Sequence, residues 1–541
     1  MALTKNRKLI IILILTIVVV ASFFRLWQLD SIPPGLYPDE AINGNEAISN
    51  PGKIFYPDNN GREGLFINLL YLSFSIFGIS IWSLKIVPAI IGILTVIGLY
   101  LLVKEVLKPL AQSTLKINPE LIALLSSFFL ATSFWHTNFS RIGFRAILVP
   151  FILVFSFYFL FRGFRTQKTL NFILAGIFFG LGFYTYISFR VAVSLLFIVL
   201  LCWWFIYRKE QLQKKYLFLV SCFLFLVLIV ALPIGIYFLQ NPQDFIDRAG
   251  PISIFAQDSN PPVSQIKALG ESLIKHLGMF NIYGDPNWRH NLSGSPVLFW
   301  PVGILFLIGI FYSFYQIFKP PQGLPLPHRS TFLVFGFLIG WWLIMLLPGI
   351  LTYEGIPHSL RSIGAIPPAF IFSALGLNFL FQEINKKIKI KKGSVNFWLI
   401  IFFSILLLTT FIFTQYYRYF VIWGKSSEVE NAFSKNYVEI GNYLNSLSPE
   451  IQKYVIVNEL GAPLYGISIP AQTPMFIERT EYNQPRSAYI RAENLEKIEI
   501  GQKKTVIIPL YGGEIFNELQ KKFPEGKIQK ENGFWTFKCN F

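Results

Sequence analysis

Asp39 and Glu40 stand side by side in GLYPDEAINGNEAI (35–48), directly after an apolar run over 9–27. Pro33, Pro34 and Pro38 keep the chain out of helix until Asp39, and Pro51 is the next helix stop. The spacing therefore predicts a short helix over 39–49 with Asp39 at or near its N-cap. Unpaired backbone N–H groups and the positive end of the helix dipole stabilise a carboxylate's charge there. Asp39, Asn43 and Glu46 recur at i, i+4, i+7 and share one face, while Glu40 points elsewhere. An aspartate at an N-cap and a glutamate in a first turn are also ordinary helix-start residues, so the case for chemistry depends on what stands nearby.

Arginines supply that case. HTNFSRIGFR (136–145) carries Arg141 and Arg145, FYTYISFR ends in Arg190, and EGIPHSLRS carries His358 and Arg361. Each lies at the same end of an apolar run as Asp39, on the side where short loops should be poor in Lys and Arg. An arginine at a span end is often a headgroup anchor, but its guanidinium also forks onto phosphate oxygens. A carboxylate that takes a proton from an attacking hydroxyl, beside cations that stabilise a departing phosphate, is the equipment for group transfer from a membrane-bound phosphate ester. The same pieces would also suit a divalent cation, magnesium or manganese, held by Asp39 and substrate oxygens. No cofactor is fixed by the sequence.

The elements that must position these residues are membrane spans. Charged residues are 14% of the 541-residue chain and hydrophobic ones 53%, against about 25% charge in soluble domains. Apolar runs fall near 9–27, 81–103, 119–135, 146–161, 170–187, 191–207, 217–239, 297–318, 331–351, 363–382 and 397–417, which predicts about 11 spans. The first is read as an uncleaved span because its apolar core exceeds a signal peptide's. The net charge of +17 does not point to nucleic acid, because the basic residues sit in alternate short loops. Lys5, Arg7, Lys8; Lys104, Lys108, Lys116; Arg162, Arg165, Lys168; Arg208, Lys209, Lys214, Lys215; Lys319, Arg329; and Lys386, Lys387, Lys389, Lys391, Lys392 all fall on one side. That side is the cytoplasm by the positive-inside rule, which puts the N-terminus inside and Asp39 outside.

The apolar segment 65–77 is too short to span and is expected as an interfacial helix in a first outer loop over 28–80. A second long outer loop covers 240–296. The membrane domain is expected over 1–420. Residues 421–541 change in composition, with helix patterns in SEVENAFSKNYVEIGNYLNSL and GGEIFNELQKKF and strand patterns in KYVIVNEL and KTVIIPLY. They predict a small extracytoplasmic α/β domain. The three cysteines form no even framework, and none of the five histidines lies in a close-spaced pair, which argues against disulfides and a His-rich metal site.

YPDEA after the first span, GREGLFINLLYLSFSIFGISIWSLKIVPAIIG, SRIGFR, GLGFYTYISFR, FNIYGDPNWRHNLSGSPVLFWPVGILFLIGI and PHSLRSIGAIPP, in this order and spacing, resemble the GT-C superfamily of polyprenyl-phosphate-sugar-dependent glycosyltransferases. They are most similar to bacterial relatives of protein O-mannosyltransferases and of lipid A aminoarabinose transferase. The resemblance covers roughly the first 380 residues. It implies a mostly α, polytopic GT-C membrane fold and an inverting transfer of a hexose or pentose from a polyprenyl-phosphate-linked donor to a lipid, glycan or protein acceptor. The reaction would take place on the outer face of the cytoplasmic membrane. It implies Asp39 as catalytic carboxylate with Glu40 as partner. Arg141, Arg145, Arg190, Arg361 and His358 would meet donor phosphate. Arg62, Glu63, Asp285, Arg289 and His290 would line the acceptor side. The chain departs from the oligosaccharyltransferase branch in lacking a paired acidic motif in its second outer loop, which has only His136 and the arginines. The alternative is a transporter or flippase of anionic lipid or lipid-linked sugar. Such proteins place ionisable groups at mid-membrane in two related halves, a pattern this sequence does not show.

Overall fold

The structure is a computed structural model that describes residues 7–541 except 112–114, 116, 208–212, 248–249, 251, 257–261, 320–326, 389–392 and 465. Of the basic residues counted for topology, Lys5, Lys116, Arg208, Lys209, Lys389, Lys391 and Lys392 lie outside the described residues. The chain forms two compact units. One comprises 1–27, 88–140 and 145–421, and the other 28–87, 141–144 and 422–541.

The first unit is helical. Among the described residues, nine helices of the chain are long and apolar enough to cross a membrane, and the protein is a multi-pass membrane protein. The expected spans at 119–135 and 170–187 are also helices but shorter, Pro119–Thr132 and Thr169–Leu181. The first is cut short because Ser133 leaves helical geometry (ψ 129°) and turns its hydroxyl to cap the next helix at His136 N–H. Close packing between spans uses small residues. A Cβ on Gly309 would overlap the Phe372 carbonyl oxygen, so helices Trp300–Phe318 and Ile366–Ile388 meet backbone to backbone there.

The second unit joins the first-loop segment to the C-terminal segment. The units part at 421/422, and the C-terminal segment shares its unit with 28–87 and 141–144 rather than standing alone. Its sheet has β1 (Gln452–Val457), β2 (Ala488–Arg491), β3 (Thr505–Pro509), β4 (Lys527–Lys530) and β5 (Trp535–Cys539) in the order β2-β1-β3-β5-β4. β1 pairs parallel with β2 and β3, and β5 antiparallel with β3 and β4. Alternation along the strands buries both faces. Val455, Val457, Val506 and Ile508 pack with Tyr437, Ile440 and Leu444, whereas Tyr454, Ile456, Ile507 and Phe537 pack with Ile515, Phe516 and Leu519. The predicted helix over SEVENAFSKNYVEIGNYLNSL is broken into Ser427–Ala432 and Lys435–Ser446 by Ser434, whose φ is 52°.

In the same unit, helix Leu65–Phe77 buries Phe66, Ile67, Leu70 and Phe74, while Tyr71, Leu72, Ile76 and Phe77 stay exposed. A short helix that is apolar on its open side suits a membrane surface. Helix Pro38–Ser49 packs on helix Gln472–Tyr482 at Gly44, where a Cβ would sit 2.5 Å from the Phe476 ring.

Candidate active site

The helix that carries the paired carboxylates is Pro38–Ser49, with Tyr37 as its N-cap and Pro38 as its first residue. Asp39 is thus the second helical residue rather than the cap. Proline fits the first position because its missing N–H would have been unpaired there anyway. Glu40, the third helical residue, turns back and accepts the Tyr37 N–H at 3.3 Å. Its other oxygen accepts the Gly143 N–H at 2.5 Å, and Asn43 donates to the Gly143 carbonyl at 3.2 Å. Glu40 is fully buried. Burial pushes its pKa up, against the opposing pull of the Lys85 charge and of its two N–H donors.

Two buried cations hold the chain that leads into this helix. The Lys85 ammonium donates to the Pro33 carbonyl at 3.0 Å and the Gly35 carbonyl at 3.2 Å. The Arg141 guanidinium donates to the carbonyls of Ile32 and Gln28, each at 2.8 Å. Both side chains are fully buried. Arg141 was expected at donor phosphate; the structure instead gives its guanidinium backbone carbonyls of 28–32. Lys85 was not among the expected residues. It carries the same signal as the arginines, a lone basic residue near the outer end of an apolar run.

Asp39 faces the other way. It is half-buried, and the Asn59 amide donates to its Oδ1 at 3.0 Å. Asn59 and Asn60 adopt left-handed geometry (φ 53° and 60°) between the paired segments Phe55–Tyr56 and Arg62–Glu63, which brings that amide round. Arg62 gathers the rest of the face, donating to Asn43 Oδ1 at 3.3 Å and Glu46 Oε1 at 3.4 Å. The i, i+4, i+7 face is therefore one surface, organised by a buried Arg62–Glu46 ion pair. Arg62 and Glu63 were expected to line a substrate; each is 1% exposed, and Arg62 is committed to that pair.

The other expected residues lie in the first unit. Asp285 is buried and saturated: Asn287 N–H donates to Oδ1 at 2.8 Å, and Oδ2 takes the Ser359 N–H at 2.8 Å, the Ser359 hydroxyl at 2.9 Å and His290 Nδ1 at 3.1 Å. Burial works to raise its pKa, but His290, His358 and these donors outweigh it and hold the carboxyl at about 2. The His290 and His358 rings lie 4.9 Å apart, and His276 Nε2 accepts the His358 N–H at 3.1 Å. Arg361 pairs with Glu354 at 3.5 Å. Arg190 donates to the Phe245 carbonyl at 3.1 Å and lies over the Phe245 ring. Arg145 lies over the Tyr186 ring, and Arg289 Nε donates to Asn287 Oδ1 at 3.3 Å. GDPNWRHN and PHSLRS thus converge: Asp285, His290 and His358 offer ligand atoms within 4.8 Å of one another. Close spacing in sequence missed this group because its histidines come from two loops. A carboxylate with two imidazoles is a zinc-type donor set rather than a magnesium one. At Asp39 the structure supplies one carboxylate oxygen not taken by Asn59, with the neighbouring Glu46 committed to Arg62, so a hard cation there would draw most of its oxygens from substrate and water.

Residues 65–237 match the family model of dolichyl-phosphate-mannose-protein mannosyltransferases. Among solved structures, the fold is similar to ArnT from Cupriavidus metallidurans bound to undecaprenyl phosphate, at 12% identity and a TM-score of 0.57 over 98% of both chains. The chain shares the fold of that structure. It is also similar to the oligosaccharyltransferase AglB from Archaeoglobus fulgidus in complex with an inhibitory peptide and a dolichol-phosphate, at 13% identity and a TM-score of 0.52, over 98% of this chain and 74% of that one. A second Archaeoglobus fulgidus oligosaccharyltransferase structure, tethered to an acceptor peptide containing an NVT sequon, matches 84% of this chain and 62% of that one at 14% identity and a TM-score of 0.51. No curated protein matches the chain.

Proposed function

We propose that the protein is an inverting glycosyltransferase that moves a hexose or pentose from a polyprenyl-phosphate donor to an acceptor hydroxyl. The observation that carries the reading is the division between the paired carboxylates. Glu40 is buried and fully engaged, whereas Asp39, next to it in the same helical turn, is half-buried and keeps an oxygen that Asn59 does not take. That difference supports Asp39, rather than Glu40, as the carboxylate that works on substrate.

In this account Asp39 accepts the proton of the acceptor hydroxyl as that oxygen bonds to the anomeric carbon. The bond from the anomeric carbon to the phosphate oxygen breaks, and polyprenyl phosphate leaves with the electron pair. Attack opposite the leaving group inverts the anomeric centre. Arg145, Arg190, Arg361 and His358 stabilise the departing phosphate. Lys85, Arg141 and Glu40 act one step back, holding residues 28–40 so that Asp39 does not move when substrate binds. The face that carries Asp39 lies outside the cytoplasmic membrane, with the N-terminus inside, and the C-terminal α/β segment shares that side.

The test is purified protein in nanodiscs, supplied with a polyprenyl-phosphate-linked sugar and a mixed acceptor fraction of lipid, glycan and peptide. A new glycosidic product and free polyprenyl phosphate are expected. Movement of intact donor across the bilayer without product would favour the flippase reading.

A further inference from the structure

Helix Pro262–Gly278, in the long loop over 240–296, divides its circumference into three sectors. At about 100° per residue, Ala268, Leu269, Ser272 and His276 share one side and are buried or half-buried. Lys267, Glu271 and Lys275 recur at i, i+4, i+8 as an exposed charged row, in which Lys275 pairs with Glu271 at 2.6 Å. Between these sectors runs an open apolar stripe of Ile266, Leu273, Ile274 and Leu277, with Ile266 and Ile274 each 71% exposed. A Cβ on Gly270, within the stripe, would meet open space. From Ile266 to Leu277 the stripe is about 16 Å long at 1.5 Å per residue.

The packed side fixes where this helix sits. The Ser272 hydroxyl donates to the Ile350 carbonyl at 2.8 Å, and Ile350 is the last residue of the candidate span Thr331–Ile350. One turn on, His276 lies against the preceding residue of that span: a Cβ on Gly349 would be 2.5 Å from His276 Nε2. Two successive turns of the helix therefore rest on the terminus of a membrane span, at the level where lipid meets water. The chain on either side is also open and apolar. Leu239, at the end of the span Lys214–Gln240, is exposed, as are Phe245, Ile246 and Phe255 before the helix and Ile282 after it.

An apolar stripe of this length costs free energy in water. The helix is too short and too charged to cross the bilayer itself. A stripe that runs along three turns is covered when the helix lies along a flat apolar surface, and at a span terminus that surface is lipid. Lys267 borders the stripe, where its stem can rest on lipid while the ammonium stays in water. Helices with one apolar and one charged face bind membrane interfaces in this way. We propose that helix Pro262–Gly278 is a membrane-surface anchor, with its stripe in the lipid around that end of the span and its charged row in the headgroup and water layer.

The anchor holds a second segment. His276 Nδ1 donates to the Ser272 carbonyl at 2.8 Å, and its Nε2 accepts the His358 N–H at 3.1 Å. The carbonyl can only accept and the N–H can only donate, so the ring is the neutral tautomer with its proton on Nδ1. The docked helix thus fixes the start of PHSLRS, which carries His358 and Arg361. The docking does not rest on the glycosyl-transfer reading; only the use of His358 and Arg361 at phosphate does.

The test uses the full chain in nanodiscs of mixed phosphatidylethanolamine and phosphatidylglycerol, without substrate, so that its outcome is separate from that of the transfer assay. Cys202, Cys222 and Cys539 are replaced by alanine, and a spin label is placed in turn through Ile266→Cys, Ile274→Cys, Lys267→Cys and Glu271→Cys. Labels at 266 and 274 are expected to collide more with oxygen, which concentrates in lipid, than with a water-soluble nickel chelate, and labels at 267 and 271 the reverse. Equal exposure of all four to the chelate would overturn the docking. So would labels at 266 and 274 shielded from both reagents, the sign of a protein partner such as a second copy. Hydrogen exchange reads the hold on His358. Ile266→Asn combined with Ile274→Asn, both on the open side, is expected to speed exchange at the His358 N–H by about tenfold or more, with exchange in the spans unchanged. Glu271→Gln, on the charged row, should exchange as the wild type does. Unchanged exchange at His358 in the double variant would overturn the holding role.

Discussion

Glu40 accepts the Gly143 backbone N–H at 2.5 Å, and Gly143 is one of the four residues, Arg141–Phe144, that share a compact unit with the first-loop segment. That bond clamps the start of the Asp39 helix to a strip of chain a hundred residues away. Glycine relieves crowding at this point. A Cβ on Gly143 would lie 2.5 Å from Leu84 Cδ2 and 3.2 Å from Glu40 Oε2. Gly143→Ala is expected to destabilise the protein by about 1–3 kcal/mol through overpacking, read as a lower melting temperature in detergent.

Glu40 gives stability a pH dependence with a definite sign. Its pKa is higher folded than unfolded, chiefly because burial disfavours the charge. Between the two values the folded state binds more protons, so stability falls as pH rises from the ordinary glutamate value of about 4.3 through the raised one, then levels off. Denaturation midpoints of Glu40→Gln should lack that decline, and a parallel pH profile for variant and wild type would count against the assignment.

Among neighbouring charges, that of Lys85 does most to favour the charged form of Glu40. Lys85→Met leaves the carboxylate without its cation and the Pro33 and Gly35 carbonyls without their donor. A loss of about 1–3 kcal/mol is expected from leaving buried groups without their partner. Adding Glu40→Gln should restore part of it, giving a double-mutant coupling of at least about 1 kcal/mol. Strict additivity in chemical denaturation would show that the two charges do not interact.

Asp285 carries the opposite sign. With its folded pKa down at about 2, its contribution is complete above the ordinary aspartate value of about 3.9 and is lost as pH falls through about 2. Asp285→Asn should remove on the order of 2–3 kcal/mol at neutral pH and abolish that acid-side step. It also weakens the link between 285–291 and Ser359, so hydrogen exchange should speed up at Ser359 N–H before it does in the spans.

Much of this was legible in the sequence, for physical reasons that differ by element. The apolar runs had to be helices because only helices satisfy their backbone in lipid, and the runs at 119–135 and 170–187 differ only in length because Ser133 and the turn after Leu181 end them. The C-terminal strands showed in their two-residue alternation. The Asp39–Asn43–Glu46 face followed from helical spacing, and the structure gathers that face on Arg62. The limits are equally specific. Spacing could not show that Arg141 turns inward to carbonyls, because an outer-end arginine reads the same whether it meets phosphate or backbone. Nor could it show that His290 and His358 meet across separate loops.

The account turns on Asp39 alone being the carboxylate that works on substrate. The decisive measurement is sugar transfer from a polyprenyl-phosphate-linked donor by Asp39→Asn in nanodiscs, with donor binding measured on the same preparation. The account predicts a loss of about 100-fold or more in kcat, in line with removal of a general base, with donor affinity and melting temperature unchanged. Transfer at the wild-type rate by a properly folded Asp39→Asn protein would contradict it.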